Sequence, residues 1–153
     1  MNRLKRKTVE PYVREFEIER NDIGNAGTVA SLTKRELKKR GFSREFVKQI
    51  TIGVYEAEIN VVIHSYGGKV TVTINDVFIE ITFKDKGPGI PNIDNAMTEG
   101  FSTASKYAIE NGFGAGMGLP NIKAVSDEMD LNSSEDGTNL TIRFYVKDNS
   151  YAS

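Results

Sequence analysis

The sequence has no cysteine and only one histidine, His64, among its 153 residues. The lack of cysteine excludes disulfides, thiolate nucleophiles and cysteine-ligated zinc, and it favours a reducing, cytoplasmic setting. A single histidine also excludes metal sites built from several imidazole groups. Thiol chemistry and histidine-rich metal centres are therefore ruled out as functions, and His64 itself is expected to be a helix-end or packing residue.

Long apolar runs and an excess of one charge are also missing. No apolar run approaches the roughly 18 residues of a membrane span. The net charge is −1, from 20 basic and 21 acidic residues, which argues against a nucleic-acid groove or an anionic membrane surface as partner. The basic start MNRLKRK is not followed by the apolar segment of a signal peptide. We therefore expect residues 1–8 to be a flexible tail on a single domain, residues 1–153.

The periodicity of apolar residues predicts strands that cluster on either side of a group of helices. The Asn75-Asp76 pair predicts a hairpin turn. Strands that are grouped rather than alternating with helices favour an α+β fold, a two-layer sandwich with a mixed, mostly antiparallel sheet and helices on one face. The predicted elements are strands at 11–19, 69–74, 77–85, 129–134 and 138–146, a helix at 26–40, a helix capped by Ser43 and ending near Tyr66, and a helix from Pro120 with Ile122, Val125 and Met129 on one face.

The second predicted helix places polar residues between two apolar stripes. At 100° per residue, one stripe contains Phe46, Ile50, Val54, Ala57 and Val61, and the other contains Ile52, Ile59 and Ile63. Between them lies a narrow strip of Gln49, Gly53, Glu56 and Asn60. We expect Gly53 to allow a close approach, and we expect Glu58, on the outward face, to be a solvated charge.

The chemistry of this strip depends on Glu56 and Asn60. A carboxamide oxygen and a carboxylate one helical turn apart suit a Mg²⁺ that is held mostly by phosphate oxygens and water. A carboxylate here can also act as a base on a hydroxyl that attacks a terminal phosphate. The simpler alternative is that Glu56 and Asn60 only hydrogen-bond to a neighbouring strand.

Two glycine-rich segments complete the set of candidate motifs. GFGAGMGLPNIKAV, residues 112–125, lacks the third glycine of a Rossmann loop, and no Gly-Lys pair in the chain is followed by the Ser or Thr of a P-loop. DKGPGI, residues 85–90, directly follows a predicted strand. It is either an ordinary turn or a place where Asp85 accepts a hydrogen bond from an adenine amino group.

The ordered set EAEIN, DKGPGI, GFGAGMGL and Gly137-Thr138 resembles the Bergerat-fold (GHKL) ATPases, the group that includes gyrase, sensor histidine kinases and MutL. Within that group the chain is most similar to the anti-sigma factor serine/threonine kinases. The segments GPGIPNIDNAMTEGFST and GAGMGLPNIK are especially similar to the RsbT-type switch kinases.

The resemblance implies a role for each matching residue, with ATP and Mg²⁺ as cofactors. Glu56 is implied as the catalytic base, Asn60 as the Mg²⁺ ligand, and Asp85 as the group that recognises the adenine. Residues 90–118 are implied to be an ATP lid. The further nucleotide-binding residues are Gly87, Gly89, Ile90 and Thr138 around Asp85, the backbone amides of Gly114, Ala115, Gly116, Met117, Gly118 and Leu119 around the phosphates, and Lys106, which could reach the γ-phosphate.

Two functions remain open at this point. The first is a protein serine/threonine kinase that phosphorylates a small STAS-type anti-sigma-antagonist partner. The second is a nucleotide-gated binding module that sequesters a sigma factor or activates a PP2C-type phosphatase. Glu56 favours the kinase, because a pure binding module has no need of a base. The resemblance also allows a homodimer.

Overall fold

The secondary structure places a five-stranded sheet beside a group of helices. The structure is a computed structural model that describes residues 10–90, 93–98 and 118–153. Its strands are β1 (Tyr12–Ile18), β2 (Gly68–Ile74), β3 (Phe78–Asp85), β4 (Glu128–Ser134) and β5 (Gly137–Tyr145), and its helices are α1 (Thr28–Lys39), α2 (Arg44–His64), α3 (Ile93–Ala96) and α4 (Gly118–Val125). The predicted tail at 1–8 and most of the predicted lid lie outside the described residues.

The five strands form one sheet in the order β1-β2-β3-β5-β4, and each described pairing is antiparallel. Along β2, β3 and β5, buried apolar residues alternate with more exposed ones. The apolar side of each strand therefore packs in the core with the helices, while the other side carries polar residues. The expected α+β fold is confirmed, with the described part of the sheet antiparallel rather than mixed.

The ends of the helices follow local capping signals. Ser43 precedes α2, and its hydroxyl accepts a hydrogen bond from the Phe46 amide at 3.2 Å, as expected of an N-cap residue. Helix α4 begins two residues before Pro120. It ends at Val125, so the expectation that Met129 shares its apolar face is wrong. The chain has left the helix before Met129, because the Asp127 amide already donates a hydrogen bond to the backbone carbonyl oxygen of Arg143 in β5.

Helix α2 is the central helix of the core. Its predicted apolar stripe is buried, with Ile50 and Val54 fully shielded from solvent. The second predicted stripe is only partly covered, since Ile59 is buried whereas Ile52 remains 36% exposed. Among the residues that the structure describes, no helix is both long and apolar enough to span a membrane.

Glu58 is buried instead of solvated, which contradicts the expectation from the helical wheel. Its side chain is only 2% exposed, and its carboxylate accepts hydrogen bonds from the amides of Gly27, Val29 and Ala30, each at 3.0 Å. These amides belong to the first turn of α1 and its preceding residue, where a helix has no internal acceptors for its N–H groups. Glu58 therefore accepts the hydrogen bonds of the free N–H groups at the start of α1. Helix α1 packs over this side of α2 and shields Glu58 from solvent.

Candidate active site

The polar strip of α2, formed by Gln49, Gly53, Glu56 and Asn60, faces helix α4. At its first end, Gln49 Nε2 donates a 2.5 Å hydrogen bond to the carbonyl oxygen of Val125, the last residue of α4. One turn further on, a Cβ atom on Gly53 would lie 3.1 Å from the Phe144 ring and 3.3 Å from the Val125 side chain. The close approach expected at Gly53 is thus made by core side chains, and it lets α2 and α4 pack closely.

The second half of the strip faces the beginning of α4. Asn121 Nδ2 lies 3.5 Å from Glu56 Oε1, a long hydrogen bond, and Gly118 lies directly beside the amide group of Asn60. The first half of the strip therefore meets the end of α4 and the second half meets its beginning, so the two helices run antiparallel. Glu56 and Asn60 are both half-buried. Both of these contacts are made with a helix, not with the strand that the simpler alternative requires.

A second group of polar side chains lies at one end of the sheet. Asp85 ends β3, Thr138 lies near the start of β5, and Ser133 lies in β4 directly opposite Thr138. Asp85 Oδ1 accepts the Thr138 amide at 2.8 Å, and the hydroxyls of Thr138 and Ser133 lie 2.9 Å apart. We call Asp85, Thr138 and Ser133 the polar row. On the same side of the sheet, the polar row lies next to an apolar row made of Phe83, Leu140 and Leu131.

The DKGPGI turn is attached to the polar row by backbone contacts. The Gly87 amide donates to the backbone carbonyl oxygen of Asp136 at 2.6 Å, next to the polar row. The Ile90 amide donates to the hydroxyl of Ser133, within the row, also at 2.6 Å. Gly89 has a φ of +81°, and a Cβ atom there would overlap with the carbonyl oxygen of Ser134. Only glycine fits this conformation and this approach at low cost. The turn is therefore a close-packed part of the sheet end.

The polar row and the second half of the polar strip lie at the same end of the molecule. Directly after α2, the Tyr66 amide donates to the carbonyl of Lys86 at 3.1 Å, and the Lys86 amide donates to Gly67 at 3.0 Å. Lys86 follows Asp85 in the chain, so this backbone pairing joins the C-terminal end of α2 to the end of β3. Asp85 and Asn60 are thus brought to one side of the fold from positions 25 residues apart.

Burial shifts the pKa values of Asp85 and His64 at this end of the fold. The pKa of Asp85 is raised, mainly because burial disfavours its charged form, although the Thr138 amide opposes that shift. Burial lowers the pKa of His64, the last residue of α2, which favours neutral imidazole. That position agrees with the helix-end role expected for His64.

The residues implied for phosphate binding are described only in part. Gly118 and Leu119 form the first turn of α4, and the Leu119 side chain is buried in the core, which leaves its backbone as the group able to meet a ligand. The remaining implied residues, Gly114, Ala115, Gly116, Met117 and Lys106, lie outside the described residues.

The described residues do not by themselves provide a full set of side-chain ligands for a divalent cation. In the part of the chain that the structure describes, no three acidic or histidine side chains come together as a metal site. The amide oxygen of Asn60, with the Glu56 carboxylate one turn away on the same strip, fits a Mg²⁺ ion that takes most of its ligands from phosphate and water. These oxygen donors are of the type that Mg²⁺ prefers.

Ser133 is the residue of this region that the motifs missed. A signal for it exists in the sequence, because Met129, Leu131 and Ser133 follow the two-residue period of a strand. The period places Ser133 on the inward side, where its hydroxyl interrupts an apolar series. In the structure all three are half-buried between exposed neighbours.

Known proteins of similar sequence agree with the resemblance that the motifs indicate. A family model for the histidine kinase-like ATPase domain matches residues 20–144. The serine/threonine-protein kinase RsbT of Bacillus subtilis is 34% identical over 116 residues, which cover 71% of this chain and 80% of that protein. The anti-sigma F factor of Bacillus cytotoxicus is 30% identical over 109 residues, covering 67% and 71% respectively.

A solved structure supports the fold alone. The structure of the RsbU and RsbW domains of a Mycobacterium tuberculosis protein matches with a TM-score of 0.62 and 16% identity, and the match covers 93% of this chain but 35% of that one. The chain belongs to the histidine kinase-like ATPase domain family, in the group that contains RsbT and the anti-sigma F factors, and at the level of that family the predicted class of enzyme, a protein serine/threonine kinase, is confirmed.

Proposed function

We propose that this chain is an ATP-dependent kinase that phosphorylates a serine or threonine of a small STAS-type antagonist protein, as an anti-sigma regulatory switch in the cytoplasm. The observation that supports this most is the meeting of the polar strip and the polar row at one end of the fold, through the pairing of Tyr66 with Lys86. That arrangement offers a carboxylate for a base, an amide oxygen for a cation and an acceptor for an adenine.

In the proposed complex, each end of ATP meets a different element. Asp85 accepts a hydrogen bond from the adenine amino group, with Gly87, Gly89, Ile90 and Thr138 around it. The backbone amides of residues 114–119 bind the phosphates, and those of Gly118 and Leu119 lie at the start of α4, where N–H groups favour anions. Lys106 is proposed to reach the γ-phosphate from the lid at 90–118. Asn60 would hold Mg²⁺, which supplies neutralisation of phosphate charge when bound.

The transfer step assigns the proton to Glu56. The hydroxyl oxygen of the partner forms a bond to the γ-phosphorus, the bond from that phosphorus to the β,γ-bridging oxygen breaks, and ADP leaves. The Glu56 carboxylate takes up the hydroxyl proton. Glu56 is half-buried and has only a long hydrogen bond to Asn121 among its described contacts, so its carboxylate oxygens are open to a hydrogen bond from the partner hydroxyl.

A transfer assay with γ-labelled ATP, Mg²⁺ and a STAS-domain protein tests this assignment. We expect Glu56→Gln to lower the rate of phosphotransfer by about 100-fold or more, the usual contribution of a general base. Its affinity for ATP should change by less than about threefold, because the base acts mainly in the transition state. Glu45→Gln, an exposed position on the same helix, is the matched control. An unchanged rate in Glu56→Gln would refute the base assignment.

A second candidate is favoured by the similarity to a protein named as an anti-sigma F factor. In this function, nucleotide controls the binding of a sigma factor, or of a PP2C-type phosphatase, without any transfer of phosphate. The same assay separates the two functions. Nucleotide-dependent binding to a sigma factor, with no labelled product for any STAS protein, would favour the binding module over the kinase. A homodimer is compatible with either function.

A further inference from the structure

We propose that Ser133 is a positioning residue that gives the nucleotide site its preference for adenine. The inference rests on the proposed function, because it concerns how the same site distinguishes nucleotides. Its basis is a series of three hydrogen-bonding groups. The Ile90 amide lies 2.6 Å from the Ser133 hydroxyl, and that hydroxyl lies 2.9 Å from the Thr138 hydroxyl. Thr138, the last of the three residues, also donates its backbone amide to Asp85 Oδ1 at 2.8 Å.

The Ile90 amide fixes the direction of the first hydrogen bond and favours one direction for the second. A backbone N–H can only donate, so the Ser133 oxygen must accept from Ile90. An oxygen that already accepts is polarised to donate its own proton, because hydrogen bonds in a chain strengthen one another. We therefore take Ser133 as the donor to Thr138 Oγ1, which is one of the two directions that their 2.9 Å separation allows. The proton of the Thr138 hydroxyl is left to point away from Ser133.

This direction gives the end of the sheet a defined pattern of acceptor and donor. Asp85 presents a carboxylate, an acceptor, and its Oδ1 already takes the Thr138 amide. Thr138 presents a hydroxyl donor next to it. Adenine carries the complementary pattern on its Watson–Crick edge, with the 6-amino group as donor and the neighbouring N1 as acceptor. A 6-oxopurine such as hypoxanthine has an acceptor at position 6 and a donor at N1, which is the reverse.

Packing holds this pattern in place. Ser133 is half-buried in β4, and Thr138 is buried directly across from it in the sheet. The Ser133 hydroxyl also lies 3.0 Å from the position that a Cβ atom of Gly89 would occupy, so the DKGPGI turn closes over it. A side chain without a hydroxyl at position 133 would leave the Ile90 amide without this acceptor. It would also leave the Thr138 hydroxyl free to rotate and to act as donor or acceptor.

The experiment compares the dissociation constants of Mg·ATP and Mg·inosine triphosphate, which differ at the 6-position of the base. For the wild type we expect a preference for ATP on the order of 100-fold, the cost of leaving a buried hydrogen-bonding group unpaired by the wrong base. In Ser133→Ala we expect that preference to fall about tenfold, because a freely rotating Thr138 hydroxyl can serve either base. Ser134→Ala is the matched control, because the Ser134 hydroxyl accepts a hydrogen bond from the Asp136 amide and not from Ile90.

Two further variants separate positioning from stability. Ser133→Thr and Ser133→Val have nearly the same shape and both suit a strand, but only threonine keeps the hydroxyl. We expect the threonine variant to retain the preference for ATP and the valine variant to lose it. Equal weakening of both nucleotides in Ser133→Ala and Ser133→Val, with the ratio unchanged, would overturn the inference. A wild-type chain that binds neither nucleotide would instead refute the proposed function.

Discussion

Two glutamates that are two residues apart in α2 have opposite environments. Glu56 is half-buried and faces the start of α4, whereas Glu58 is fully buried against the first turn of α1. Three backbone N–H groups compensate the carboxylate of Glu58 for the water it has lost. Burial nevertheless raises its pKa. Glu58 therefore belongs to the structural side of the helix, and Glu56 to the side proposed for chemistry.

The raised pKa of Glu58 predicts a pH dependence of stability. The folded protein holds this proton more tightly than the unfolded chain does, so the stabilisation is full below the ordinary glutamate value of 4.5 and is lost as the pH rises through the folded pKa. Glutamine cannot titrate. We expect the free energy of unfolding of the wild type, measured relative to Glu58→Gln, to decrease as the pH is raised from about 4 to about 7.

Urea unfolding at a series of pH values measures this difference, and the contributions of other titrating groups cancel between the two proteins. Glu45→Gln, at an exposed position on the same helix, controls for the loss of one negative charge. A difference that stays constant or increases with pH would contradict the argument.

At the scale of elements, the packing of α2 against α4 decides which residues reach the site. The polar strip meets α4 along its length, from Gln49 at Val125 to Asn60 at Gly118. The Gln49 amide satisfies a carbonyl at the end of α4 that has no partner within the helix. Gln49 thus holds the far end of the helix whose first turn lies beside Asn60.

Removing this contact should weaken the docking of α4. We expect Gln49→Ala to lower the free energy of unfolding by about 1 kcal/mol, the typical net value of one hydrogen bond, and to speed hydrogen exchange of the amides in 118–125. Lys48→Ala, the exposed neighbouring position, should change neither quantity much. Unchanged stability and unchanged exchange in Gln49→Ala would show that the contact does not hold α4.

Elements were predictable to within a few residues because periodicity and capping are local properties. The five strands, the Ser43 cap and the buried stripe of α2 all follow from residues close together in the chain. Glu58 was not predictable in this way. A helical wheel gives the direction of a side chain from its own helix, but only the packing of α1 shows that this direction leads into the protein.

For the whole molecule, the sequence indicated which segments contribute to the candidate site but not how they meet. The order of EAEIN, DKGPGI and the later glycines identified Glu56, Asn60 and Asp85 as candidates. The Tyr66–Lys86 pairing that brings them to one end depends on how the sheet and α2 are joined. Ser133 was missed because no motif contains it, and its partners Ile90 and Thr138 come from separate segments of the chain.

In the proposed function, Mg·ATP binds at this end of the fold with its base on Asp85. The most direct measurement is thermal unfolding of the wild type and of Asp85→Asn, with and without Mg·ATP. At a nucleotide concentration of about 100 Kd, binding should stabilise the wild type by about 2.7 kcal/mol and raise its Tm.

Asp85→Asn should lose most of this shift, because an amide no longer presents only acceptors to the base. Asp130→Asn, the same change at an exposed position in β4, should keep it. A wild-type Tm that does not rise with millimolar Mg·ATP, or a shift of equal size in Asp85→Asn, would contradict the account.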